Sequence, residues 1–234
     1  MRPRPPSMKS LTPLSRISAP ASTGKPSKTA RQIPDWISKM GILSARIRRQ
    51  RMLMAVPYIR GAVLDLGCGE AAMLELFGDR MESYTGVEQA PGRARKLAKR
   101  HPGHVFVHRD LDDDPLGFEG QFDVALLIAV VEHVYNQKHL FREVVRALKP
   151  DGRIVITTPT PFGNDVAHRI GARLGLFSPG AAEDHVVIYN RRRFEILARD
   201  FGLELERYQR FQCGCNQLAV LRRKAPDPPP DARP

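Results

Sequence analysis

Between residues 62 and 159, short apolar runs alternate with helical patterns, and few architectures accept that rhythm. The runs are AVLDLG (62–67), SYTGVE (83–88), HVFVH (104–108), QFDVALLIAVV (121–131) and GRIVITTP (152–159). Between them lie EAAMLELF (70–77), PGRARKLAKR (91–100) and KHLFREVVRALKP (138–150), each with apolar positions at helical spacing. A strand that is apolar on both sides must be buried on both faces, and parallel strands joined by helices achieve this. An irregular Gly- and Pro-containing stretch (159–190) follows, then a predicted helix, RRRFEILARDFG (191–202). Two further strands, LELERYQRF (203–211) and NQLAVLRR (216–223), are close enough to form a hairpin. The expected fold is α/β, with a mostly parallel, doubly wound sheet.

Charge divides the chain. Of its 37 Lys and Arg residues, 13 lie in the first 60 positions beside a single acid, Asp35, whereas the remaining 174 positions balance 24 bases against 24 acids. The basicity therefore belongs to the N-terminal extension, and the folded body is neutral. A neutral body without a basic groove disfavours nucleic acid as a partner. Residues 1–34, rich in Pro, Ser and basic side chains, cannot bury enough apolar surface to order themselves and are predicted to form a disordered tail. Residues 35–60 carry Trp36, Ile37, Met40, Leu43, Ile47 and Met54 at near-helical spacing among arginines, which predicts an N-terminal amphipathic helix. Such a basic helix can rest on an anionic membrane surface or pack on the domain with its charges in water. Residues 61–224 then form the domain, and 225–234 a Pro-rich tail. Three cysteines without a CxxC pair suggest a reducing compartment, so a cytoplasmic setting is expected. The eight-residue apolar run 124–131 is too short to cross a bilayer.

The segment VLDLGCGEA (63–71) is a Gly-rich turn between a strand and a helix, where Gly67 and Gly69 let the backbone approach a ligand. Nineteen residues beyond Gly69 the second strand ends in Glu88, placed to accept both hydroxyls of a ribose. A dinucleotide and S-adenosylmethionine both fit that geometry. Ala71 and Ala72 depart from the dinucleotide fingerprint, and Glu70 would repel a pyrophosphate at the helix start. An acidic first turn suits a cationic sulfonium, and Asp65 suits the same ligand's amino group.

In this order, DLGCG, GVE, RDLDD, FDVALLIAVVEHV and LKPDGRIVITTP resemble the class I S-adenosylmethionine-dependent methyltransferases over roughly residues 60–223. The resemblance implies a Rossmann-like seven-stranded sheet of order 3-2-1-4-5-7-6 with the last strand antiparallel. It places Asp65, Gly67 and Gly69 under the methionine moiety, Glu88 on the ribose with Gln89 beside it, and Asp110 and Leu111 at the adenine. Ile128 to Val130 would line the cofactor at the end of strand four.

The residues after strand four, VVEHV, resemble those of ubiquinone-biosynthesis O-methyltransferases and relatives acting on lipids, sugars and other small molecules. In the quinone enzymes an acid three residues before the Glu-His pair completes a divalent metal site. Here that position is Ala129, so no metal is expected. His133 can serve as a general base for a hydroxyl acceptor, or it can open the next helix and shape the pocket. His185, in the 158–190 stretch with Asp184 and Tyr189, carries the same two readings. The expected activity is methyl transfer from S-adenosylmethionine to a small-molecule, lipid or glycan-precursor acceptor. A non-catalytic binding scaffold is the alternative, and a nicotinamide-dependent oxidoreductase fits less well.

Overall fold

The structure is a computed structural model, and it describes residues 42–165 and 186–224. Four segments fall outside those residues: the predicted tails 1–34 and 225–234, positions 35–41 of the predicted helix, and His185 with Asp184.

The chain opens with helix α1 (Ile42–Ala55) and a short 3-10 turn (Val56–Tyr58). Next come β1 (Ala62–Leu66), α2 (Ala72–Phe77), β2 (Ser83–Glu88), α3 (Pro91–Arg100) and β3 (Val105–His108). Then β4 (Phe122–Ile128), a 3-10 turn (Val131–His133), α4 (Gln137–Ala147) and β5 (Leu148–Pro159) complete the parallel part. Helix α5 (Arg191–Asp200), β6 (Leu203–Phe211) and β7 (Asn216–Arg223) close the chain. The seven strands form one sheet of order β3-β2-β1-β4-β5-β7-β6. β7 runs antiparallel to both β5 and β6, and the other neighbours are parallel.

Two-sided burial explains the near-continuous apolar strands. Leu64, Leu66, Ala125, Leu127, Ile154 and Ile156 face α4 and α5, where Phe141, Val144 and Phe194 cover them. Val63, Val124, Leu126, Val155 and Val220 face the other way, onto Met52 and Ala55 of α1, Met73 and Leu74 of α2, and Leu97 of α3. Successive residues alternate between the two cores, as a period of two requires. Among the described residues no helix is long and apolar enough to cross a membrane.

At three of the element ends that differ from expectation the reason is local. Helix α2 starts at Ala72 rather than Glu70 because Ala71 is left-handed (φ 58°) and its N–H closes a turn onto Cys68 O at 2.9 Å. β4 stops at Ile128 rather than Val131 because Ala129 is left-handed too (φ 57°), which turns the chain out of the sheet. Helix α4 ends at Ala147, since Leu148 already pairs with Phe122 in β5.

Candidate active site

All four parallel strands on the cofactor side deliver their expected residues to one edge, the carboxyl ends, where open α/β sheets bind ligands. The turn after β1 sits under the end of β4. A Cβ on Gly67 would lie 2.7 Å from Val130 Cγ2, and Gly67 has φ 66°, so only glycine permits this approach. The turn is tied to β2 by Cys68 N–H donating to Val87 O at 3.0 Å and by Gly69 N–H donating to Glu88 Oε2 at 3.1 Å. Glu88 is 6% exposed, and its Oε1 accepts from Ala90 N–H and Arg93 Nη1, both at 2.9 Å. A carboxylate offers about four acceptor positions and three are taken, so one ribose hydroxyl fits the remaining position and a second would share or replace the Arg93 contact.

Gln89 is exposed, and its Nε2 donates to Asp110 Oδ2 at 2.9 Å, joining the ends of β2 and β3. Asp110 Oδ1 accepts from Asp112 N–H, and these bonds, the backbone one first, hold the Asp110 carboxyl below its ordinary range. Leu111 packs against the core beside them, and Ile128 is half-buried at the end of β4.

Asp65 is 3% exposed at the end of β1 and accepts a 2.7 Å hydrogen bond from the Tyr84 hydroxyl on Oδ2. Burial raises its carboxyl to about 7, with the Tyr84 bond and the charge of Arg48 pulling the other way. Arg48 comes from α1, and its Nη2 would lie 3.4 Å from a Cβ at Gly69. Burial lowers its pKa, while Asp65 and Glu70 raise it. The loop thus carries Asp65, Glu70 and Glu88 with arginines between them, and Arg93 Nε reaches Glu70 at 3.4 Å. That donor set fits S-adenosylmethionine: a sulfonium and an ammonium are welcome among three carboxylates, whereas a pyrophosphate would be repelled.

Past β4, the Glu-His pair divides. His133 is exposed, whereas Glu132 is 1% exposed with its side chain inside the protein. Neither carboxyl oxygen of Glu132 finds a hydrogen-bond partner among the described residues, although the Thr158 hydroxyl adjoins it. Burial raises its pKa, opposed first by Arg51 of α1. Arg51 Nε donates to Asn216 Oδ1 at 2.7 Å. The Glu132 carbonyl accepts from Val186 and Val187 N–H at 2.8 and 3.3 Å. Gln137 braces the same turn, donating to Val131 O and Val134 O at 2.8 and 2.6 Å while its Oε1 accepts from the Tyr189 hydroxyl at 2.6 Å. Among the described residues no three or more His, Cys, Asp or Glu side chains form a group able to hold a metal ion.

Sequence reasoning assigned no site role to Tyr84, Arg48 or Arg51, and it weighed Glu132 only as a metal ligand or as part of the turn after strand four. One signal was available for Tyr84, a phenol on the same face of its strand as Glu88, in a strand otherwise apolar or small. Helical spacing gave none for the arginines.

Strand order, antiparallel β7 and an acid-rimmed glycine turn define a Rossmann-like class of S-adenosylmethionine-binding protein. The family described as methyltransferase domain matches residues 27–208, and the chain belongs to it, among the class I S-adenosylmethionine-dependent methyltransferases. The ubiquinone biosynthesis O-methyltransferase of Pseudomonas aeruginosa (strain LESB58) is 31% identical over 100 residues, which are 41% of this chain and 43% of that protein. The match thus spans less than half the length of the curated relative. Two solved structures share the fold. The 1,6-didemethyltoxoflavin-N1-methyltransferase of Burkholderia thailandensis, with bound 1,6-didemethyltoxoflavin and S-adenosylhomocysteine, is 19% identical with a TM-score of 0.58, covering 82% of this chain and 86% of its own. An S-adenosylmethionine-dependent methyltransferase of Mesorhizobium loti is 17% identical with a TM-score of 0.58, covering 77% and 97%.

Proposed function

We propose that the protein transfers a methyl group from S-adenosylmethionine to a small-molecule, lipid or glycan-precursor acceptor, at a hydroxyl oxygen. The observation that carries the cofactor reading is the bond from Gly69 N–H to Glu88, which joins the glycine turn to the ribose acid. Support for oxygen as the acceptor atom comes from the ubiquinone O-methyltransferase relatives, and from VVEHV at the end of β4. S-adenosylmethionine supplies an electrophilic methyl group on a sulfonium. Asp65, Gly67 and Gly69 hold its methionine end, Glu88 and Gln89 its ribose, Asp110 and Leu111 its adenine, and Ile128 the face toward the acceptor.

Most of the rate would come from alignment of nucleophile and methyl. We read His133, which is exposed after β4, as the base that takes the hydroxyl proton, with His185 as the second candidate. The basic N-terminal region is read as a peripheral contact for anionic membrane, in a cytoplasmic protein that does not act on nucleic acid.

Labelled S-adenosylmethionine, incubated with the protein and an extract of small molecules and lipids, tests the reading. Label should move to an extractable, base-stable ether product. Calorimetry alongside should show S-adenosylhomocysteine binding and no NAD binding. NAD binding without S-adenosylhomocysteine binding would overturn the cofactor assignment. Cofactor binding with no label transfer to any fraction would favour a non-catalytic scaffold.

A further inference from the structure

Tyr84 lies four residues before Glu88, so both side chains fall on one face of β2. The phenol is 2% exposed, too buried to meet a ligand itself. Its ring is fixed edge-on to His104 and tilted against Phe106, with centroids 6.0 and 5.7 Å away. From that fixed ring the hydroxyl donates to Asp65 Oδ2 at 2.7 Å. A buried phenol in a cofactor domain needs one partner, and it has taken the carboxylate assigned to the cofactor's methionine end.

The groups facing Asp65 come from every neighbouring element. Arg48 approaches from α1, Tyr84 from β2 and Cys68 from the turn, with Glu70 acting on Arg48 and Glu88 on Cys68. On β4 the residue in register with it is the uncharged Leu126. Burial favours the protonated acid, while the Tyr84 bond and Arg48 favour the ionised one, so the two forms are closely balanced. Burial, and then the charge of Asp65, push the Tyr84 hydroxyl well above its ordinary value, so it remains a donor throughout.

We propose that Tyr84 is a positioning residue of the cofactor site: its hydroxyl donates to Asp65 and favours that carboxyl's ionised form for the cofactor's ammonium group, which makes cofactor affinity proton-linked. The inference rests on Asp65 being a cofactor residue. No covalent bond changes. Where Asp65 is protonated beforehand, its proton passes to solvent as the ligand binds, and the carboxylate accepts from the ammonium instead. Without the Tyr84 hydroxyl the ionised form loses a donor, so the protonated form persists to higher pH.

The test is calorimetry of S-adenosylhomocysteine binding to the full chain, wild type, Tyr84→Phe and Asp65→Asn. Titrations run from about pH 5.5 to about pH 8.5 in two buffers of different ionisation enthalpy, so that proton release is measured directly. Wild type should lose affinity about tenfold per pH unit on the acid side and release about one proton per ligand there. Tyr84→Phe should match wild type at the alkaline end, bind several-fold more weakly near neutrality, and have its acid limb displaced upward. Asp65→Asn should bind weakly with no limb. A Tyr84→Phe limb that coincides with wild type overturns the proposal. So does a uniform loss of affinity at every pH, which is what a merely structural role would give. Wild-type binding without proton release overturns it independently of how well any variant folds. Asp65→Asn binding like wild type would instead remove Asp65 from the cofactor site, and the role of Tyr84 with it.

Discussion

Glu88 and Glu132 are both almost fully buried acids at the carboxyl ends of neighbouring parts of one sheet, yet their surroundings are opposite. Glu88 accepts from two backbone N–H groups and a guanidinium. Glu132 accepts from none of the described residues and has Arg51 as its chief counter-charge. The first environment surrounds the carboxyl with donors, and two of its three are backbone groups that no side-chain change removes. The second tolerates a carboxyl chiefly by raising its pKa through burial. Strand ends separated only by β1 thus give the same residue type opposite surroundings.

The largest effect should come from breaking the satisfied acid. Glu88→Ala strands the N–H groups of Gly69 and Ala90 and removes the ribose contact. Each lost bond to a charged group is worth about 1.5–3 kcal/mol, so S-adenosylhomocysteine affinity should fall by roughly 100-fold or more in calorimetry. Unchanged affinity would dissolve the contrast, because Glu88 would then be a mere brace for the turn.

Asp65 stands between the two extremes, with one donor and a pKa raised to about 7 from an ordinary 3.8. An acid raised on folding stabilises the native state fully below its unfolded pKa, and that contribution is lost as pH rises through the folded value. The ligand-free protein should therefore lose stability between pH 3.8 and about 7, by up to about 4 kcal/mol. Asp65→Asn can still accept from Tyr84, and it should remove most of this loss while impairing cofactor binding. Denaturant melts at several pH values check the first half and calorimetry the second. A variant neither stabilised nor impaired would mean that Asp65 is satisfied by something other than Tyr84 and Arg48.

Arg51→Met probes the unsatisfied side. It leaves Asn216 Oδ1 without its donor and Glu132 without its main counter-charge. The expected loss is about 1–3 kcal/mol by chemical denaturation, at the lower end if Glu132 simply takes up a proton. A loss that grows with pH would mark Arg51 as the partner of an ionised Glu132. One independent of pH would mark it as a partner of Asn216 alone.

How much of this was legible in the sequence follows from which forces are local. The helix-covered parallel sheet could be expected because Val63 and Leu64, or Leu126 and Leu127, must bury opposite faces, and helices on both sides of a sheet allow that, whereas the strand order was implied only by the family resemblance. The ends of elements could not be, because nothing in an alanine announces the left-handed conformation of Ala71 or Ala129. The geometry of the proposed cofactor turn was readable where the backbone does the work, as at Gly67, Gly69 and Glu88. They were hidden where a distant segment supplies the partner. Arg51 reads as a solvated helical charge, yet its hydrogen-bond partner is 165 residues away. Of the pair after β4, His133 looked like the chemical residue, but a single 3-10 turn exposes it and buries Glu132.

The smallest effect is also the sharpest test of that asymmetry. Burial raises the Glu132 carboxyl, and Arg51, then its own backbone N–H, His133 and the Thr158 hydroxyl oppose it without cancelling it. By the same sign as for Asp65, Glu132 contributes most stability when protonated and progressively less as pH rises through its elevated value. Glu132→Gln keeps the shape and removes the titration. On the alkaline side it should stabilise by about 1 kcal/mol, or roughly 2–4 °C in a domain of this size, with a smaller change at a second, more acid pH. Glu88→Gln should do the reverse, because an amide nitrogen facing the N–H groups of Gly69 and Ala90 replaces an acceptor with a donor. Thermal melts of both variants at the two pH values separate the cases. If Glu132→Gln destabilises at both, the buried carboxyl is held ionised by Arg51, and the two acids differ in partner rather than in charge.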